Sequence, residues 1–216
     1  MRRHQAIIFD FGGVIGHFSH RRGAEQIAAL TGGRLTTDQV YDGIFLSALE
    51  EQFDRGDFTP REFLGQLRQR FAISASEETL VRAWSDIFWR NEEVIAVIRR
   101  LPRALRLVLA SNTNRLHYNH FRRSFADVMD LFDARILSFE VRRRKPDPEF
   151  FTHCIEATGQ PASACIYVDD IPSYVDAARR LEIDSLTYHP GLDLVREFAE
   201  RNIDLQAGTE EPCGQM

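Results

Sequence analysis

Lysine is almost missing from this chain. Of its 27 Lys+Arg residues only Lys145 is a lysine, and every other long cation is an arginine. Cysteine is scarce too. Cys154, Cys165 and Cys213 show no short spacing, which excludes a disulfide framework and a zinc site of paired thiols. Cys165 falls in an apolar run and reads as a buried thiol. Long apolar runs are absent, so nothing in the sequence reads as a bilayer span. The run Ala6–Phe9, with Asp10 directly after it, is too short for a secretory core segment. No large excess of one charge sign is present either. A net charge of -5 gives no reason to expect nucleic acid or an anionic membrane as partner. These absences lead us to expect a reducing, cytoplasmic setting and a monomer or weak homodimer.

What is present is a pattern of short apolar runs. Ala6–Phe9, Leu105–Ala110, Ala134–Leu137, Cys165–Val168 and the more polar Ser185–Tyr188 read as parallel strands with helices between them. Such continuous runs indicate an α/β sheet covered on both faces, and we expect it to be doubly wound with the first strand central. Asp147-Pro148-Glu149 supplies an N-cap, an N1 proline and a first-turn acid for one of the helices. Val175, Ala178 and Leu181 mark the next, and Leu194, Val195 and Phe198 the last.

The first crossover is far too long for a single helix. Residues 16–104 separate the first two strands, where roughly a dozen residues suffice. The interval carries amphipathic stripes at Val40/Ile44/Phe45/Leu49/Phe53, at Phe63/Leu64/Leu67/Phe71 and at Leu80/Val81/Trp84/Ile87/Phe88. Thr59-Pro60-Arg61-Glu62 is a capping box, and Asn91-Glu92-Glu93 opens the helix that returns to the sheet. The spacing therefore predicts a core domain of residues 1–17 and 91–206, an inserted helical cap at 18–90, and a loose polar tail at 207–216.

In open α/β sheets the ligand crevice lies outside the carboxyl ends of the strands. Asp10 with Gly12, Ser111-Asn112, Lys145 and Asp169-Asp170 all follow strands, so they converge. Neighbouring carboxylates repel unless a cation joins them, and Mg²⁺ suits oxygen ligands of this kind. The Ser111 hydroxyl, a helix N-terminus and Lys145 form an anion pocket opposite. A compact ammonium also fits a slot that a wide guanidinium does not. Together these groups point to phosphoryl transfer, for which Asp is an available nucleophile.

Phe9-Asp10-Phe11-Gly12-Gly13-Val14, Ser111-Asn112, Lys145-Pro146 and Val168-Asp169-Asp170 resemble, in order and spacing, the four motifs of haloacid dehalogenase-like (HAD) hydrolases. The stretch Leu109 to His117 is similar to the branch holding α-glucose-1-phosphate phosphatases and the phosphatase domain of soluble epoxide hydrolases. The resemblance implies a HAD-like Rossmannoid core with a C1-type cap, and a Mg²⁺-dependent phosphatase of a small metabolite such as a sugar phosphate. It implies Asp10 as nucleophile and metal ligand, the Gly12 carbonyl and Asp170 as further ligands, and Asp169 as a ligand through water or a support behind them. It implies that Ser111 and the Asn112 backbone hold the phosphoryl oxygens and that Lys145 balances charge.

One position departs from that pattern. Gly12 stands where most phosphatases of this kind carry an Asp that protonates the leaving group. A positioned general acid contributes about 10²–10⁴-fold, so a substrate with an acidic leaving group, such as an anomeric phosphate, is expected. A metal-independent 2-haloacid dehalogenase and a binding-only regulatory protein are the alternatives. His17, His20, Arg115 and His117 read as loop or surface-helix residues, at least two of Arg142 to Arg144 as solvent-facing, and Trp84 and Trp89 as helical core. Phe18 and Phe45 lie either in the cap pocket or in its core.

Overall fold

The computed structural model of the protein describes residues 4–206; the expected tail at 207–216, with Cys213, lies outside them. The chain opens with β1 (Ala6–Phe9) and turns into β2 (Gly16–Phe18), which pairs antiparallel with β3 (Phe88–Arg90). Strands β4 (Arg106–Ser111), β5 (Ala134–Leu137), β6 (Cys165–Asp169) and β7 (Asp184–Thr187) join β1 in a parallel sheet of order β5-β4-β1-β6-β7, with β1 central. Between β2 and β3 run α1 (His20–Ala29), α2 (Thr37–Phe45), α3 (Leu49–Asp54), α4 (Pro60–Phe71) and α5 (Glu77–Ser85). The crossovers of the sheet are α6 (Glu92–Arg99), α7 (Arg115–Ser124), α8 (Ala126–Met129), α9 (Ser138–Val141), α10 (Pro148–Thr158) and α11 (Pro172–Arg179), and α12 (Leu194–Glu200) follows β7.

Strand periodicity of two divides the apolar runs between the faces. Ile7, Phe9, Leu107, Leu109, Ile166 and Val168 share one core with residues of α6, α7, α8 and α12. Ala6, Ile8, Val108, Ala110, Cys165 and Tyr167 share the other with Phe150, Phe151 and Cys154 of α10 and Ala177 and Ala178 of α11. The sheet is thus doubly wound. Each large apolar side chain buried this way stabilises the fold by about 1.5–3 kcal/mol.

The inserted helices have a separate core that includes Ile27, Val40, Ile44, Phe53, Phe63 and Trp84. The capping boxes at Thr36 and Thr59 and the side-chain cap at Ser76 start three of them. Two expected stripes are cut. Ala48, in the left-handed region at φ 59°, separates α2 from α3, so Val40 to Phe53 is not one helix. The stripe drawn through Ile87 and Phe88 ends at Ser85, and Phe88–Arg90 is strand. Ile-Phe-Trp is β-branched and aromatic, and pairing with Gly16–Phe18 overrides the helical spacing. Trp89 accordingly lies half-exposed beside His17, not in a helical core. The module contacts the sheet domain through α5 on α7 and α3 on α9.

Candidate active site

Parallel register levels the strand ends. Phe9 is in register with Leu109 on one side and Val168 on the other. Asp10, Ser111 and the Asp169-Asp170 pair therefore leave the sheet at one edge, and Asp10 is fixed there by its N–H donating to the Val168 carbonyl at 2.9 Å. A cavity of about 180 Å³ opens at this edge, lined by Asp10, Gly12, Ser111, Asn112, Lys145 and Asp170. Asp169 lies beneath it with no solvent exposure. All seven residues singled out in the sequence meet here.

Lys145 crosses from the loop before α10 into the carboxylates. Its Nζ donates to Asp10 Oδ1 at 2.6 Å, to Asp169 Oδ2 at 2.7 Å and to the Ala110 carbonyl at 3.1 Å, which uses all three ammonium protons. Burial acts to lower the lysine pKa, but Asp10 and Asp169 outweigh it and the ammonium is held charged. The Asn112 side chain clamps the lysine backbone in a reciprocal pair, donating to the Lys145 carbonyl at 3.0 Å and accepting from its N–H at 2.8 Å. Asp169 also accepts from the Tyr167 hydroxyl and, at 2.8 Å, from the Ile171 N–H, so both its oxygens are engaged.

The donor set fits a divalent cation. Carboxylate oxygens of Asp10, Asp169 and Asp170 lie within 4.8 Å of one another. Asp170 Oδ1 is buried with no hydrogen-bond partner, a costly state for a carboxylate unless an ion satisfies it. Three acids face one ammonium, and burial raises the Asp10 pKa even though Lys145 pulls it down. Asp170 is raised by burial and then by Asp169. Such a cluster of oxygen donors suits Mg²⁺. Gly13 makes room for the Asp170 carboxylate: φ there is +78°, and a Cβ would collide with that group.

Several residues at this site were not legible in the motifs. His117, expected on a helix surface, is buried on the cavity wall. The fully buried Asn114 caps α7 by accepting from the His117 N–H at 3.0 Å, and its amide reaches Asp54 Oδ1 and His117 Nδ1, each at 3.0 Å. Asn114 thereby ties the helical module to the sheet domain. We expect Asn114→Ala to cost about 2–4 kcal/mol, from a lost cap plus orphaned buried groups, measured by urea unfolding. Arg144 bridges the same seam, 3.3 Å from Glu51 and 3.6 Å from Asp54. Arg142 and Arg143 face solvent, and Arg115 pairs with Glu140 at the surface. His20, read as a loop residue, opens α1 and lines the cavity with Phe18 and Glu50. Phe45 stacks on His20 and packs against the helical core.

Comparison with known proteins identifies the family. A family model described as haloacid dehalogenase-like hydrolase matches residues 4–181. The chain is 25% identical over 200 residues to D-ribitol-5-phosphate phosphatase of Bacteroides thetaiotaomicron, covering 89% of this chain and 95% of that protein. It is 27% identical over 180 residues to a phosphatase of Mycobacterium tuberculosis, covering 81% of this chain and 82% of the other. The magnesium complex of a HAD family enzyme from Bacteroides thetaiotaomicron superposes with a TM-score of 0.77 at 25% identity, over 90% of this chain and 98% of that one.

Proposed function

The chain belongs to the haloacid dehalogenase-like hydrolases, and from that premise we propose that it is a Mg²⁺-dependent phosphatase of a small phosphorylated metabolite. The observation that carries this reading is the buried Lys145 ammonium, 2.6 Å from Asp10 and 2.7 Å from Asp169, beside the unpartnered oxygen of Asp170. Phosphatase relatives and a magnesium-bound neighbour support it. Asp10, the Gly12 carbonyl and Asp170 hold the metal, with Asp169 orienting Lys145 behind them. Bound there, Mg²⁺ supplies positive charge that offsets the anionic phosphoryl oxygens.

Asp10 attacks the phosphorus and forms an aspartyl-phosphate. The Ser111 hydroxyl and the Asn112 backbone N–H hold phosphoryl oxygens, and Lys145 neutralises charge between nucleophile and phosphate. Water then attacks the phosphorus and returns Asp10 as a carboxylate. Residues 18–90 act as a cap over the core of residues 1–17 and 91–206 and exclude bulk water when closed. The helical module's own hydrophobic core, apart from the two that cover the faces of the sheet, supports that division.

The cavity of about 180 Å³ is smaller than the roughly 300–1,000 Å³ of sites for drug-sized ligands. A sugar phosphate such as glucose-1-phosphate suits this scale. Its anomeric oxygen leaves more readily than a primary alkoxide, which fits the absence of a side chain at Gly12. Phosphate release from a panel of phosphorylated sugars and polyols, with and without Mg²⁺, tests the reading. Glucose-1-phosphate turnover above that of glucose-6-phosphate is expected; the reverse order would remove the anomeric preference, and no Mg²⁺-dependent release from any ester would remove the phosphatase.

A further inference from the structure

Residue 12 carries no side chain, and the space for one is taken: a Cβ there would lie 2.8 Å from the Phe18 ring. A leaving oxygen that needs a proton, such as a primary alkoxide, has to take it from another wall. In an in-line displacement the leaving oxygen points away from the attacking Asp10, toward the helical module. Most ionisable groups on that wall are committed. Arg144 faces Glu51 and Asp54 and does not release a proton. Asp54 accepts from Asn114. His117 has one ring nitrogen on Asn114 and the other on the Trp84 carbonyl. Glu50, on α3, is different. It lines the cavity, and among the described residues its one close polar partner is His20 Nε2 at 3.3 Å.

We propose that Glu50 is the general acid and base of this site, held in place by His20 as a positioning residue; this rests on the phosphatase reading above. In the first half-reaction the bridging P–O bond breaks as Asp10 bonds to phosphorus. The electron pair stays on the leaving oxygen, which takes the Glu50 proton. In the second, the Glu50 carboxylate takes a proton from the water that bonds to phosphorus, while the Asp10–phosphorus bond breaks. One ester and one water become one alcohol and one inorganic phosphate, and both carboxyl groups return to their starting states.

The surroundings favour this cycle. Burial and Asp54 push the Glu50 carboxyl up to about 8 against the pull of Arg144, with Glu51 adding to the rise. Glu50 is thus an acid at neutral pH. The imidazoles on the same wall do not compete for its proton: burial holds His20 down at about 4 and His117 at about 3.

The test compares the parent with Glu50→Gln on two Mg²⁺-dependent substrates: glucose-6-phosphate, whose alkoxide needs a proton, and dinitrophenyl phosphate, whose leaving group does not. We expect kcat/KM on the alkyl ester to fall about 10²–10³-fold and the aryl ester to stay within about threefold. The parent's alkyl profile is expected to fall above about pH 8, and that basic limb to disappear in Glu50→Gln. His20→Asn opens Glu50 to solvent and moves the limb to lower pH on the alkyl ester alone; an unmoved limb would remove His20 from the role. Glu50→Asp, a shorter acid, keeps the limb at a reduced rate, and stands in should the Gln variant not fold. Equal losses of kcat/KM on both esters, or no loss on either, overturn the assignment of Glu50. If the parent hydrolyses neither ester with Mg²⁺, the phosphatase reading falls first and this assignment with it.

Discussion

Asp10→Asn is expected to lower phosphate release by about 10³–10⁵-fold while leaving a folded protein. An amide oxygen is a poor nucleophile, and the substitution also removes one charge from the cation site. The fold survives because the buried Lys145 is not stranded: Asp169 remains 2.7 Å from its ammonium. A buried charge that keeps a counter-ion avoids the about 3–5 kcal/mol that follows from losing its only partner. Binding of Mg²⁺ to the native state is expected to raise the parent's melting temperature by mass action. That rise should shrink in Asp10→Asn, because a neutral amide replaces a carboxylate ligand. Phosphate assays and melts with and without Mg²⁺ read both effects. Parental turnover in the variant would take Asp10 out of the chemistry.

Lys145→Arg is expected to lose about 10²–10³-fold in kcat although the charge is kept. The lysine is 3% exposed and its ammonium sits between Asp10, Asp169 and the Ala110 carbonyl. The rings of Tyr167 and Tyr174 close the slot, 5.8 Å and 5.3 Å from Nζ. A guanidinium is wider and planar, so it displaces the carboxylates it is meant to bind. Overpacking of this kind costs about 1–3 kcal/mol, and a displacement of about 1 Å at a nucleophile is enough for the activity loss. Lys145→Met is expected to be worse for stability, because Asp10 and Asp169 then face each other without a cation. Kinetics and thermal melting of the two variants check this; an Arg variant within about tenfold of the parent would show that the slot does not discriminate.

The parts of the site that could be read from the sequence follow from topology. Asp10, Ser111, Asp169 and Asp170 each stand at the end of a strand, and parallel register brings strand ends together whatever the side chains are. Lys145 was marked by being the one lysine in an arginine-rich chain. Tyr167 was legible in principle, since it precedes Asp169 by two residues on β6 and so shares its face. Asn112 was read only for its backbone, whereas its side chain clamps Lys145 across a separation of 33 residues. Such a contact has no local pattern. Glu50, Asp54 and Arg144 meet where the helical module contacts the sheet domain. The positions of Glu50 and Asp54 depend on how α3 is rotated after the break at Ala48, which the hydrophobic spacing did not reveal. The strand at Phe88–Arg90 was missed for a related reason: its partner, Gly16–Phe18, is too short to announce itself.

Acid quench of the enzyme during turnover of a radiolabelled phosphate ester tests the central claim most directly. The account predicts Mg²⁺-dependent, hydroxylamine-labile label on the peptide carrying Asp10, and none in Asp10→Asn. Turnover with no covalent label, label on another side chain, or the same rate with the metal chelated would contradict it.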